Sequence, residues 1–119
     1  MLPQTVPYRD AVYNLSHAAV LARALETGNG DTVRAALRDR LHQPYRKKLI
    51  EDYETIEALV RTTGAAFCLS GAGPTLLCIT LDEQLEQKLA KKLDSMTKAN
   101  WYMLPLHVEF QGARVISEE

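Results

Sequence analysis

The spacing of apolar residues in the first quarter of the chain predicts one long helix. Apolar side chains recur every three or four positions from residue 8 to residue 27, which is the helical period. Pro7 suits the first turn of that helix, and Gly28 suits the position just after its end. The side that we expect to be buried carries Ala11, Leu15, Ala18, Ala22 and Leu25.

The same period predicts three further helices. One follows Asp31, which we expect to cap it, one runs from about Tyr53 to Gly64, and one follows Asp82. Pro44 must interrupt or restart the helical path between the first two of these. Their expected core residues are Val33, Leu37, Leu41, Tyr53, Ile56, Val60, Leu85, Leu89, Leu93 and Met96.

The second half also contains apolar runs that are typical of strands. Residues 65–69 and 76–81 are short and bounded by Gly and Pro, so we predict a buried β-hairpin. Residues 102–110 alternate apolar and polar side chains, which predicts a strand with one face on the core. Pro105 places that strand at an edge or a bulge, and residues 113–116 are expected to form a last short strand.

Helices, then a hairpin, a helix and a strand indicate an α+β domain. We predict a ferredoxin-like variant, with an antiparallel sheet and helices packed on one face. The length of 119 residues suits a single domain, residues 1–119.

Composition narrows the classes of partner. With 46% hydrophobic and 24% charged residues the chain looks globular, and a formal net charge of −1 gives no reason to expect nucleic-acid binding. No apolar run approaches the roughly 20 residues of a membrane span. The first residues lack the pattern of a signal peptide, so we expect a cytoplasmic protein with no membrane partner.

The two cysteines lie on the two predicted hairpin strands. A cross-strand disulfide is conceivable, but two buried free thiols are the simpler expectation for a cytosolic protein. No cluster of Cys and His residues has the spacing of a metal site, so no metal ligand is predicted.

A glycine-rich stretch between the hairpin strands is the first candidate for binding chemistry. Two glycines allow positive φ and leave bare backbone N–H groups beside two hydroxyls, which suits a phosphate or a carboxylate. A tight turn needs the same residues for purely structural reasons. The stretch consists of Ser70, Gly71, Ala72, Gly73, Pro74 and Thr75.

Three other side chains are candidates for contact with a ligand. Asn14 and His17 are three residues apart, so they share one helix face, where they could bind a ligand or simply pack and meet water. Arg46 follows Pro44 and Tyr45, and its guanidinium could clamp a carboxylate in two-pronged fashion or belong to a solvated basic face. No residues form a recognisable catalytic pair or triad, and the chain has no Walker-type phosphate loop.

Four stretches together resemble a known family. They are residues 8–19 (YRDAVYNLSHAA), 39–46 (DRLHQPYR), 69–75 (LSGAGPT) and 112–115 (GARV). In this order and spacing they resemble homoserine kinases, which belong to the GHMP group of small-molecule kinases. The resemblance runs through nearly the whole chain, and SGAGPT matches the third, C-terminal motif of the group.

The resemblance implies transfer of the γ-phosphate of ATP to the hydroxyl of L-homoserine, on the route to threonine. The ATP-binding motif of the family, similar to Gly-Leu-Gly-Ser-Ser, does not occur in these 119 residues. We therefore expect the C-terminal domain alone, inactive by itself, with an N-terminal domain as partner that binds most of the ATP and Mg²⁺. No catalytic residue is expected on this chain.

The resemblance also implies roles for individual residues. Arg46 would pair with the homoserine carboxylate, and His17, with Asn14 beside it, would contact or shape the substrate pocket. The glycine-rich stretch would close over the substrate against the phosphate loop of the other domain. Two other hypotheses remain: a free-standing ferredoxin-like module that senses an amino acid or phosphate, and a subunit-interaction module. Self-association, for instance as a homodimer, is expected both for an isolated C-terminal domain and for an interaction module.

Overall fold

The computed structural model describes residues 2–116, which form five α-helices, one short 3₁₀ turn and one β-hairpin. The fold is α+β with an antiparallel sheet, as predicted. None of these helices is long and apolar enough to cross a membrane. The elements are α1 (Tyr8–Thr27), α2 (Gly30–Ala36), α3 (Gln43–Arg46), the 3₁₀ turn (Lys47–Leu49), α4 (Tyr53–Arg61), β1 (Ala66–Leu69), β2 (Leu76–Ile79) and α5 (Leu85–Met96).

The bounds of α1 match the prediction, but its orientation does not. The helix ends at Gly28 in the left-handed region, and the Asn29 N–H closes the turn on the Ala24 carbonyl. Ala24 is buried, whereas Leu15 and Leu25 on the predicted core side are exposed. The predicted buried side is therefore wrong. Small and apolar residues of α1 occur on all sides of the helix, so its own sequence pattern does not determine which side is buried. The contact with α2 determines the buried side.

A capping side chain and a proline determine where α2 and α3 begin. The cap of α2 is Asn29, whose side chain accepts a hydrogen bond from the Thr32 N–H over 3.0 Å, and not Asp31, which lies in the first turn. Pro44 lies in the first turn of α3, where its missing N–H costs nothing. The prediction that Pro44 restarts the helical path is confirmed.

The hairpin separates two apolar clusters. Residues 66 and 79 pair, as do 67 and 78, and successive pairs point to opposite faces. Phe67 and Cys78 pack with α4 and α5, while Ala66 and Ile79 pack with α1 and α2. Helices thus cover both faces of the hairpin and not one, because both strands are apolar at every position.

The pairing register of the hairpin places the two cysteine side chains on opposite faces of the sheet. Cys78 lies opposite Phe67, and Cys68 lies opposite Leu77, so the two sulfur atoms point to opposite faces of the sheet. Both cysteines are free. Burial raises the pKa of Cys78 to about 11 and also raises the pKa of Cys68.

Residues 102–110 form no strand, so that prediction is wrong, as is the prediction for residues 113–116. A strand needs a neighbour to accept its hydrogen bonds, and the sheet formed by residues 2–116 contains β1 and β2 alone. Trp101 and Met103 still pack on the cluster at α4 and α5. The apolar side chains beyond them are exposed: Tyr102, Leu104, Leu106, Val108, Phe110, Val115 and Ile116.

Candidate functional site

Arg46 and the glycine-rich stretch meet in the structure. Arg46 is the last residue of α3, and its Nη1 donates a hydrogen bond to the carbonyl oxygen of Ala72 over 3.1 Å. None of the ion pairs within residues 2–116 includes Arg46. A guanidinium has five N–H donors in a planar fork. This contact fixes one edge of the guanidinium and leaves donors for a bidentate partner.

Residues 70–75, called the glycine loop below, connect β1 and β2. The Ser70 N–H donates to the Thr75 carbonyl over 2.9 Å, and the Gly73 N–H donates to the Ser70 carbonyl over 3.2 Å. Within the described residues the N–H groups of Gly71 and Ala72 have no backbone acceptor. The tip of the loop therefore offers free donors to an anion, next to the Arg46 contact.

The two glycines of this loop serve different purposes. Both have positive φ, +58° at Gly71 and +82° at Gly73. A Cβ at Gly73 would lie 3.0 Å from a methyl carbon of Leu69 and 3.1 Å from one of Ile50, whereas a Cβ at Gly71 would meet nothing within 4 Å. A side chain at Gly73 would thus crowd the methyl groups of Leu69 and Ile50, whereas Gly71 leaves open space at the surface.

Asn14 joins α1 to the segment before α3. Its Nδ2 donates to the Asp39 carboxylate, and its Oδ1 accepts from the Arg40 N–H over 2.9 Å. Both ends of the amide are therefore used inside the protein, which gives Asn14 a bracing role. A contact between Asn14 and substrate stays a prediction.

His17 is held by its own helix. Its ring stacks on Tyr13 with centroids 3.8 Å apart, and its Nδ1 lies 2.8 Å from the Tyr13 carbonyl oxygen. The Arg40 guanidinium also lies 3.8 Å from the centroid of the Tyr13 ring. No hydrogen bond within the described residues joins His17 to Arg46. The proposed part of His17 in a substrate pocket therefore stays a prediction.

Two residues to which the sequence analysis assigned no individual role, Asp39 before α3 and Gln43 at its first position, hold this region together. Asp39 accepts hydrogen bonds from the N–H groups of His42 and Gln43, over 2.8 and 2.6 Å. Burial opposes ionisation of Asp39, but these bonds and the one from Asn14 outweigh it and hold its pKa below the usual value. Asp side chains in turns often accept hydrogen bonds from backbone N–H groups a few residues ahead, so an Asp shortly before Pro44 could have pointed to this role.

Gln43 is the second of these residues. Its Oε1 accepts from the Leu69 N–H over 2.9 Å, and its Nε2 donates to the Leu37 carbonyl over 3.2 Å. The side chain therefore ties the end of α2 to the last residue of β1. The partners are 6 and 26 residues away, so local sequence rules cannot predict both contacts.

The chain has an apolar surface besides this site. On α1 the outward side chains of Tyr8, Val12, Leu15, Val20 and Leu25 are exposed, as are the apolar side chains in residues 104–116. The radius of gyration is 16.3 Å, against about 13.5 Å for a compact domain of this length. Among the described residues no group of three or more His, Cys, Asp or Glu side chains could hold a metal ion.

Comparisons with known proteins agree with this description. The chain is 43% identical to a homoserine kinase of Caldicellulosiruptor bescii over 98% of its own length and 39% of the relative. It is 48% identical to a homoserine kinase of Nostoc punctiforme over 96% of its own length and 38% of the relative. The chain thus spans about two fifths of the length of the curated relatives that it matches.

A solved structure supports the fold. The crystal structure of homoserine kinase from Cytophaga hutchinsonii superposes with a TM-score of 0.72 at 20% identity, over 79% of this chain and 30% of that one. At this identity the likeness shows the fold alone. Residues 21–99 match the family described as GHMP kinases C terminal. This match covers α2 to α5, the Arg46 contact and the whole glycine loop, and the chain therefore belongs to the GHMP kinase C-terminal family.

Proposed function

We propose that the chain is the substrate-side, C-terminal domain of a homoserine kinase, which transfers the γ-phosphate of ATP to the hydroxyl of L-homoserine in threonine biosynthesis. Alignment with proteins named homoserine kinase over nearly the whole chain supports the reaction. One observation carries the assignment of the site: the hydrogen bond from Arg46 to the carbonyl oxygen of Ala72. It joins the carboxylate-binding candidate to the loop that offers free N–H donors.

In this proposal the two elements have separate tasks. Arg46 binds the homoserine carboxylate through the donors that Ala72 does not occupy, because a guanidinium fork matches a carboxylate. The free N–H groups of the glycine loop face the phosphates across the substrate. His17 and Asn14 shape the wall of the pocket from α1. Phosphoryl transfer depends mainly on position and charge, so a domain without a general base can still contribute to the rate.

The partner in this proposal is an N-terminal domain of the same enzyme. ATP supplies the phosphoryl group and Mg²⁺ neutralises its charge, and both bind mainly to that domain. The free N–H groups of Gly71 and Ala72 fit a phosphate oxygen, whereas the described residues include no cluster that would hold Mg²⁺. The outward side of α1 and residues 102–116 offer apolar area for this partner or for self-association. We place the enzyme in the cytoplasm.

The test is a chimera in which this chain replaces the matching part of the Caldicellulosiruptor bescii enzyme. We expect homoserine-dependent release of ADP from the chimera and none from the 119-residue chain alone. Serine and threonine as substrates provide the control for specificity. A chimera that folds, binds ATP and releases no ADP with homoserine would contradict the proposal.

Calorimetry on the 119-residue chain separates the proposal from a free-standing amino-acid sensor. We expect weak or no binding of homoserine and threonine, because the pocket needs both domains. Tight binding of either amino acid to this chain alone would favour the sensor instead.

A further inference from the structure

The outer edge of β1 is closed by a side chain and not by a strand. Hydrogen-bonded and non-bonded pairs alternate in an antiparallel ladder. Because the Ser70 N–H donates to Thr75, the N–H of the preceding Leu69 points away from β2. The Oε1 of Gln43 accepts a hydrogen bond from that N–H. Gln43 thus holds β1 at the residue directly before the glycine loop.

Gln43 and Arg46 form two parallel connections between α3 and the hairpin. They are three residues apart on one helix and therefore lie on the same side of it. Their partners, Leu69 and Ala72, are also three residues apart. Gln43 fixes the root of the glycine loop, and Arg46 contacts its tip. The Gln43 connection is half-buried, whereas the Arg46 connection is exposed.

The amide nitrogen of Gln43 positions α3, and with it both hydrogen bonds to the hairpin, relative to α2. Its Nε2 donates to the Leu37 carbonyl at the end of α2, and its backbone N–H donates to the Asp39 carboxylate. A glutamine can accept and donate at the same time, which neither an ionised glutamate nor a methionine can do. The amide therefore holds α2, α3 and β1 in one arrangement.

We propose that Gln43 is a positioning residue that sets the glycine loop relative to the Arg46 guanidinium through its hydrogen bonds to Leu69 and Leu37. Gln43 itself contacts no substrate. This inference rests on the proposed function, because the substrate that it helps to bind is homoserine.

The test compares Gln43→Met and Gln43→Glu in the chimera described above. Methionine keeps the length of the side chain and loses both hydrogen bonds, and glutamate keeps only the acceptor. We expect Gln43→Met to raise the homoserine KM by about 10-fold or more, as small misplacements of binding groups do. The kcat should change less, and Gln43→Glu should lie between Gln43→Met and the unchanged chimera.

A double-mutant cycle with Arg46→Ala separates positioning from general destabilisation. If Gln43 acts through the placement of Arg46, Gln43→Met should add less than about twofold to the KM of an Arg46→Ala chimera. The control is Asn29→Ala, which removes a single side-chain hydrogen bond to the backbone at the far end of α2, against the two that Gln43→Met removes. Asn29→Ala should leave the homoserine KM unchanged.

Three outcomes overturn the inference: an unchanged KM in Gln43→Met, additive effects in the cycle, or the same KM rise in Asn29→Ala. A parent chimera that folds and binds ATP but has no activity with homoserine would reject the proposed function instead. In that case amide exchange in the 119-residue chain still tests the inference. Gln43→Met should then speed exchange at Leu69 and Ser70 more than at α5, and equal acceleration would overturn it.

Discussion

The guanidinium of Arg46 and the carbonyl oxygen of Ala72 are 3.1 Å apart, although 26 residues separate them in the chain. The contact brings the basic segment around α3 to the tip of the glycine loop. It gives the loop a defined neighbour of positive charge, and the loop in turn holds the flexible arginine side chain. A carboxylate bound by Arg46 would therefore lie beside the free N–H groups of the loop.

The two glycines of the loop should respond differently to substitution. Gly73→Ala places a Cβ against Leu69 and Ile50 at positive φ. Backbone strain and crowding add, so we expect it to lower the free energy of unfolding by about 2–5 kcal/mol, and by more than Gly71→Ala does. Gly71→Ala meets no neighbouring atom and should cost about 1–2 kcal/mol through its φ alone. Urea unfolding of the 119-residue chain measures both.

Gly71→Asn is the matched control for backbone strain, because asparagine tolerates positive φ. It should be more stable than Gly71→Ala and still reduce the activity of the chimera, since it fills the open space at the loop. Equal stability of the Gly71→Ala and Gly73→Ala variants would contradict the separate purposes assigned to the two glycines.

Asp52 should make stability depend on pH. Its Oδ2 accepts hydrogen bonds from the N–H groups of Ala99 and Lys98, both over 2.8 Å, and from the Trp101 ring. These bonds, led by that from Ala99, lower the pKa of the Asp52 carboxyl from its ordinary value of 3.8. The stabilisation is therefore fully present above about pH 4 and is lost as the pH falls through the lower, folded-state pKa.

Thermal unfolding of an Asp52→Asn variant measures this effect. Asparagine keeps the positive φ of 63°, so the substitution removes the charge with little backbone strain. The variant should melt at a lower temperature than the unchanged chain at pH 7, and the difference should shrink as the pH falls below 4. A difference that does not vary with pH would contradict the role of the charge.

The hairpin thiols should react slowly in the folded protein. With a pKa of about 11 for Cys78, its thiolate fraction at pH 8 is about 100-fold below that of an ordinary thiol. We expect alkylation of Cys78 by iodoacetamide to be slower by about this factor in buffer than in concentrated urea, and alkylation of Cys68 to be slowed as well, as followed by mass spectrometry. Rapid alkylation of the folded chain would contradict the burial of Cys68 and the half-burial of Cys78.

Features with a local cause could be predicted from the sequence. The bounds of α1 depend on Pro7 and Gly28, and the hairpin depends on two apolar runs around a glycine loop. The restart at Pro44 has a similar local origin. Each follows from residues within a few positions of the feature itself.

Features that depend on distant contacts could not be predicted. The buried side of α1 is selected by α2, and Asn14 bonds to Asp39 across 25 residues of sequence. The alternation of apolar and polar side chains in residues 102–110 indicates a strand. A strand forms only when a neighbouring strand is available to share its backbone hydrogen bonds. The same limit applies to the site. The sequence singled out Arg46 and the glycine loop separately, and only the fold brings them together.

The kinetics of an Arg46→Ala chimera test the central claim most directly. Loss of a charged hydrogen-bonding partner typically costs about 1.5–3 kcal/mol, so the homoserine KM should rise about 10- to 100-fold. The KM for ATP should stay within about twofold, and Arg46→Lys should recover only part of the loss because lysine lacks the planar fork. An unchanged homoserine KM in an active Arg46→Ala chimera would contradict the assignment of this site.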